Sequence, residues 1–152
     1  MTGPHTDDDT VVAEAIYNLI VSNQADLQLD DVLYGNHNVI PRSSAAVVTA
    51  AGHRRELAGV SAPGGRTENG LMVIIELHWS KVGDEATERR ACDARGKLLE
   101  NLIHTDTTIG GLIIHGFVTD VDRGETQIAN NSMFRSVRMS FLGKTKTYLS
   151  PS

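Results

Sequence analysis

In the stretch "LMVIIELHW", Leu71, Val73, Ile75, Leu77 and Trp79 alternate without a break, and no other run in the chain restricts its fold as much. Period-two alternation places these side chains on one face of a β-strand. Met72 and Ile74 make the early part apolar on both faces, while Glu76 and His78 make the end one-sided. A strand of that kind needs a neighbour on each side, so it belongs at the centre of a sheet.

The flanking segments supply those neighbours and a cover. Residues 7–23, "DDDTVVAEAIYNLIVSN", form an amphipathic helix with Val12, Ile16, Leu19 and Ile20 on one face. Thr6 and Asp9 suit a capping box, and the acids near the first turn suit the helix dipole. "LQLDDVLYG" reads as extended and ends at the turn signal Gly35-Asn36. "AAVVTAAGHRRELAGV" reads as one bent strand or two short ones, with Gly52 as the weak point. A second helix covers about 84–104, capped by Asp84, with Glu85 and Glu88 near its start and Cys92, Leu99, Leu102 and Ile103 as its stripe. Gly96 weakens it modestly. Strands follow at 112–121 and 132–143, separated by a loop at 122–131; a tail, 143–152, is expected to order only on a partner.

The resulting order is α-β-β-β-α-β-β, an α+β fold with a mixed sheet and two helices. The unit 71–79, 84–104, 112–121 suits a right-handed parallel crossover. At 152 residues the chain reads as a single domain, able to bury roughly 70% of its unfolded surface. With three Phe, three Tyr and one Trp, the core must rest on aliphatic side chains. Cys92 is the single cysteine, which rules out an internal disulfide and a cysteine-rich zinc site and fits a reducing compartment. Residues 1–10 have no basic leader region, and no apolar run approaches the roughly 20 residues of a membrane helix, so no membrane association is expected.

The net charge of −5 argues against a general nucleic-acid binder, and its distribution is uneven. Residues 1–41 carry Asp7, Asp8, Asp9, Glu14, Asp26, Asp30 and Asp31 and no Lys or Arg. Residues 131–152 carry Arg135, Arg138, Lys144 and Lys146 and no acid. That pattern is either ordinary solvated surface or a pair of complementary surfaces on neighbouring copies, which close head to tail into a ring when the rotation allows.

The turn-rich stretch 59–70, "GVSAPGGRTENG", superficially suggests a phosphate loop. Walker A spacing fails on it: aligned on Gly65-Arg66-Thr67, the first glycine falls on Val60 and Arg66 replaces the lysine. It also leads into a strand instead of a helix N-terminus. A flexible connection or functional arm is the better reading, with Arg66 and Glu68 as its charged contacts.

Motifs for catalysis or metal binding are sparse. None of the six histidines forms an H-x-x-x-H pair. His78 and His115 fall on strands and meet only if those strands are neighbours. Asp120 and Asp122 form a D-x-D pair that reads as a solvated turn. His104 lies near Asp106 without an adjacent nucleophile. Cys92 falls on the apolar helix face, as a core residue would. There is no G-x-S-x-G elbow. These features assign no catalytic, cofactor or metal residue and predict a non-enzyme.

"ELHWSKVGDEATERR" (76–90), "IHTDTTIGGLIIHGFVTDVDRGET" (103–126) and "MFRSVRMSFLGKTKTYL" (133–149), with the N-terminal helix and "PRSSAAVV" (41–48), resemble tail terminator proteins of long, non-contractile-tailed bacteriophages, of the type found in phages of actinobacterial hosts. The resemblance spans nearly the whole chain. It implies a hexameric ring that caps the finished tail tube, stops tube protein from adding and offers a docking surface to the head. The implied partners are further copies of the chain, the tail tube protein and the head–tail stopper or connector. Genomic DNA would pass through the lumen without specific binding. The implied location is the virion, with assembly in the host cytoplasm, and no cofactor is implied. Head–tail stoppers and adaptors share the size and α+β character, and a small enzyme or ligand-binding domain is the alternative from another class. In the ring reading, Arg135 and Arg138 stand three apart on a strand, so at least one faces outward toward an acidic neighbour around Asp7, Asp8 and Asp9 or Asp30 and Asp31.

Overall fold

The computed structural model describes residues 5–35, 44–59, 66–81, 83–128 and 132–148. Helix α1 spans Asp9–Ser22 and a short α2 spans Gln24–Leu27. Strands β1 (Asp31–Tyr34), β2 (Ser44–Gly59) and β3 (Arg66–Trp79) follow. Helix α3 spans Glu85–Ile103, and β4 (His115–Ile128) and β5 (Ser132–Tyr148) complete the chain. The strands form a five-stranded sheet ordered β1-β2-β3-β5-β4. Only β1 and β2 pair in parallel; the other three pairings are antiparallel. The expected α+β class and mixed sheet are therefore present, with the strand at 71–79 at the centre.

Strands β3 and β4 both run antiparallel to β5, and so parallel to each other, but β5 lies between them. The crossover through α3 thus spans one intervening strand. His78 and His115 therefore sit on strands that are not neighbours. Two expected loops are partly strand: β4 continues to Ile128, so 122–128 of the loop expected at 122–131 are strand, and 129–131 lie outside the described residues. β2 continues to Gly59 and β3 begins at Arg66, with Gly59 opposite Arg66. Residues 60–65 of the expected arm lie outside the described residues, and so do 149–152 of the expected tail. The backbone of 144–148 pairs with 66–70, which makes a three-stranded extension of the sheet. "RTENG" and "KTKTY" are polar on both faces, so hydrophobic alternation gives no sign of strands that main-chain pairing alone reveals.

The side chains of β3 that pack beneath the helices point to one face; Ile74 is buried on the other. Leu71, Val73, Ile75, Leu77 and Trp79 pack with Val12, Ile16 and Ile20 of α1 and Cys92, Leu99 and Ile103 of α3. Val137, Met139 and Phe141 of β5 join them, fully or almost fully buried. Burying each large aliphatic side chain is worth about 1.5–3 kcal/mol, which is why the helices dock on this face. Cys92 belongs to this core, and burial pushes its thiol up to about 11. Among the described residues, no helix is long and apolar enough to cross a membrane.

The expected capping box at Thr6 and Asp9 is not formed, and the N-cap lies two positions later. Asp8 is the N-cap: its Oδ1 accepts from the Thr10 amide at 2.9 Å and from the Thr10 hydroxyl at 2.6 Å. Thr6 Oγ1 accepts from the Asp8 amide at 3.1 Å. This frees the Asp9 side chain to reach away from the helix.

Gly116 of β4 marks the tightest packing. A Cβ there would meet Phe141 Cζ at 2.3 Å and Ile113 Cδ1 at 3.0 Å. Phe141 is fully buried and cannot swing away. Gly116→Ala is expected to destabilise the fold by about 1–3 kcal/mol, the usual cost of overpacking. Gly70→Ala, where a Cβ meets nothing within 4 Å, should stay within about 0.5 kcal/mol of wild type. Chemical denaturation midpoints decide between them.

Candidate assembly surfaces

The interface residues expected from the sequence fall into two groups: those engaged within the chain and those left on its surface. Arg135 belongs to the first. It is 2% exposed, on the helix-covered face of β5, opposite Trp79 in the register. Its Nε donates to Glu85 Oε1 at 3.1 Å, its Nη2 donates to Glu85 Oε2, and its Nη1 donates to the Lys81 carbonyl at 3.3 Å. The guanidinium holds the Glu85 carboxyl below the usual carboxylate range, and the Glu85 bonds push Arg135 upward. Next to this pair, Trp79 Nε1 donates to Glu88 Oε2 at 2.9 Å, and Lys81 Nζ lies 4.7 Å above the Trp79 ring. The first turn of α3 is thereby fastened to the ends of β3 and β5. Arg135 is thus a clamp within the subunit, not a contact offered to a neighbour.

Asp9 is engaged in the same manner. Strand β2 bulges between Ala50 and His53, where Gly52 takes φ +115°, a conformation glycine tolerates and other residues rarely adopt. The bulge turns the Gly52 amide and His53 toward α1. Asp9 Oδ2 accepts from the Gly52 amide at 2.8 Å, and Asp9 Oδ1 lies 2.7 Å from His53 Nδ1. Burial alone would push Asp9 up, but these bonds to His53 and Gly52 outweigh it and leave the carboxyl below its ordinary value. Asp8, Asp9 and His53 bring one ligand atom each within 4.8 Å of one another. Both Asp9 oxygens already serve the helix–strand junction, so the cluster acts as a dock. Sequence reasoning missed this contact because its partners lie 44 positions apart and the bulge that joins them has no hydrophobic signature.

In the second group, the side chains that the structure describes are half-buried or exposed. Arg138 is on the opposite face of β5 with its side chain 56% exposed, 3.9 Å from Glu76 Oε1 and opposite Asp122 on β4. Asp7 is half-buried beside the N-cap. Asp30 is exposed, and its amide donates to the Ser44 carbonyl at 3.0 Å. Asp31 is half-buried at the start of β1, opposite Ala45. Arg66 and Glu68 occupy strand positions opposite Tyr148 and Lys146. The structure thus joins Asp8 to Asp9 around the start of α1, and leaves Arg138, Asp30 and Asp31 on separate strands and turns. Asp120 and Asp122 are exposed on β4.

The edge strand β4 is guarded. The Val118 amide, at a second bulge, donates to His104 Nε2 at 2.9 Å, and the Gly116 amide donates to the Thr107 carbonyl at 2.8 Å. Farther along, Arg89 Nη1 donates to the Gly124 carbonyl at 3.3 Å, while its other nitrogens hold Asp93. Filling the outer hydrogen-bonding positions of an edge in this way blocks strand addition. His104 is explained by this role, and Asp106 caps its own turn through Thr108 and Gly110.

Two measurements test the intramolecular assignments. Arg135→Ala should cost about 1–3 kcal/mol, because it strands the Lys81 carbonyl and removes charge-assisted bonds, whereas Arg138→Ala should change stability by less than about 0.5 kcal/mol. For Asp9, whose folded pKa is lowered, the stabilising contribution is present above the unfolded value of about 3.9 and is lost as pH falls through the folded value. Wild type and Asp9→Asn should therefore differ most in urea midpoint near neutral pH and converge below about pH 3.9. A gap that stays constant with pH would remove Asp9 from the junction.

The chain matches no protein-family model, and no curated protein shows significant similarity to it. Among solved structures, a chain from the virion of a native gene transfer agent particle is similar over 89% of this chain and 94% of that one, at 12% identity and a TM-score of 0.40. A likeness that distant carries no conclusion about what this chain does.

Proposed function

We propose that this chain is a structural protein of a long-tailed phage virion, which forms a ring, hexameric in the resembling family, on the end of the tail tube. In this reading the ring stops tube polymerisation, offers the head a docking surface and lets DNA pass. It performs no catalysis and needs no cofactor. The observation that carries the reading is the one-sided fold, with α1 and α3 packed on one face of the sheet and Phe117 and Leu142 exposed on the other. Acids gather at the start of α1, on the helix layer, and Arg138 and Lys144 are exposed on the uncovered face of the sheet. Surfaces that differ in this way on opposite faces of one subunit favour head-to-tail contacts, and such contacts close into rings. The net charge of −5 suits a lumen that must release DNA, because tight binding comes from Lys and Arg contacts to phosphate. The sequence resemblance supplies the tail tube and the head connector as partners.

The three-stranded extension supports a role for the arm. Beyond Val48, β2 pairs with β3 alone among the described residues, and residues 54–59 continue as strand. The arm is expected to meet the tail tube or a neighbouring subunit. The outward amides of 54–59 should exchange quickly in the free subunit and gain about tenfold or more protection on assembly. Equal protection in both states would remove the arm from the interface.

The direct test is disruption of the gene in its parent genome, with tail length measured by electron microscopy. Over-long, headless tubes are expected. Tails of normal length lying free beside filled or leaking heads would move the function to the head side, as a stopper or adaptor.

A further inference from the structure

The uncovered face of the sheet is ordered in rows. Met72, Leu142 and Phe117 stand side by side across β3, β5 and β4, and the exposed Ala51 continues the row at the β2 bulge. Phe117 is 51% exposed and Leu142 38%. The adjoining row is basic: Arg54, Gly70, Lys144 and His115 lie opposite one another on β2, β3, β5 and β4. Gly70 leaves open space above the backbone. Together these rows form a groove of about 570 Å³ over β2, β3 and β5, continued by Phe117 on β4. Its floor is apolar and one bank is cationic. The ligand it suits is an amphipathic, acidic segment.

Helix α1 offers such a segment on its outer side. Val11 and Val21 are exposed, and the exposed Glu14 and Asn18 lie between them on the same face. Val11 and Val21 are separated by about 15 Å along the helix axis, at 1.5 Å per residue. The row from Ala51 to Phe117 crosses three strand spacings, roughly 14 Å. We propose that α1 of a second copy of this chain lies across the Ala51–Met72–Leu142–Phe117 row, with Val11 and Val21 over the two ends of the row and Glu14, between them, reaching to Lys144 in the adjoining row. The helix layer of one subunit thereby covers the bare sheet of the next. Because the two surfaces lie on opposite faces of the subunit, the contact is head to tail. The proposal rests on the self-assembly part of the reading above.

The test is weight-average mass by light scattering across a concentration series of the full chain. Wild type should rise above its monomer mass of 16.4 kDa. Leu142→Asp, Phe117→Asp, Glu14→Lys and Lys144→Glu should each move the association midpoint about tenfold or more to higher concentration, as loss of one interface contact does. Circular dichroism and denaturation midpoints establish that these surface variants remain folded. The exchange Glu14→Lys with Lys144→Glu should restore association to within about threefold of wild type, because the pair is re-formed with its signs reversed. A wild-type chain that stays monomeric overturns the proposal, and so does association indifferent to the single substitutions. Failure of the exchange, after the singles weaken association, removes α1 as the occupant. Over-long tails in the gene disruption alongside a monomeric chain would leave the terminator reading standing and this contact refuted.

Discussion

Leu71, Val73, Ile75, Leu77 and Trp79 all project from the same side of β3, and α1 and α3 are both placed by the need to bury them. A central strand can recruit helices to one face or to two. The second face of β3 carries Met72, Ile74, Glu76 and His78, which is too polar at one end to be sealed by a helix of the same chain. His78 Nε2 is 2.9 Å from Glu76 Oε2, and Arg138 stands across from Glu76. The subunit therefore has an interior side built by α1 and α3 and an outer side on which Phe117 and Leu142 stay exposed while Ala45, Val47 and Ile74 are buried. That asymmetry gives the molecule two unlike surfaces, which is the geometric requirement for head-to-tail assembly.

The helices are held on the sheet by more than apolar area. Each long helix begins with an acid that reaches past its own turn to a strand. Asp9 reaches the β2 bulge through Gly52 and His53. Glu85 and Glu88 reach Arg135 and Trp79 at the ends of β5 and β3. In both places the side chain adjacent to the cap makes the long-range contact, while Asp8 or Asp84 performs the capping. Acids at a helix start would be favoured by the dipole in any case. The structure adds a second reason for them, and it reduces the charge available for intersubunit contacts: Asp9 and Arg135 are engaged inside the subunit, while the Arg138 and Lys144 side chains are exposed.

Much of the fold was legible because it follows from periodicity. The alternation at 71–79 identified the central strand, and the spacing of Val12, Ile16 and Ile20 and of Cys92, Leu99 and Ile103 identified the buried helix faces. Strand order was not legible. Nothing local distinguishes β4 beside β3 from β5 beside β3, because that choice depends on which pairing buries Val137, Met139 and Phe141 beneath α3. The polar ends of β2, β3, β4 and β5 were hidden for a related reason: their polar sequences carry no hydrophobic alternation, and only the ladder of main-chain bonds defines them. Of the site residues, the three-residue spacing of Arg135 and Arg138 required at least one to face outward, and Arg138 does. It could not indicate that Glu85, 50 positions away, would claim the buried one.

The guarded edge of β4 narrows how subunits can join. His104, Thr107 and Arg89 fill outward hydrogen-bonding positions at Val118, Gly116 and Gly124, so extension of the sheet across β4 would first have to break three bonds already made. Sheet continuation on that side is disfavoured by construction. Contacts through faces carry no such cost, because the exposed face is side chain and not main chain. The exposed apolar residues of the sheet, Phe117 and Leu142, lie on that face, and Val11 and Val21 lie on the outer side of the opposite layer. A fold that seals its edge and leaves apolar side chains on both broad surfaces is organised to stack face against face. Rotation between successive faces, not strand pairing, would then set how many subunits close a ring.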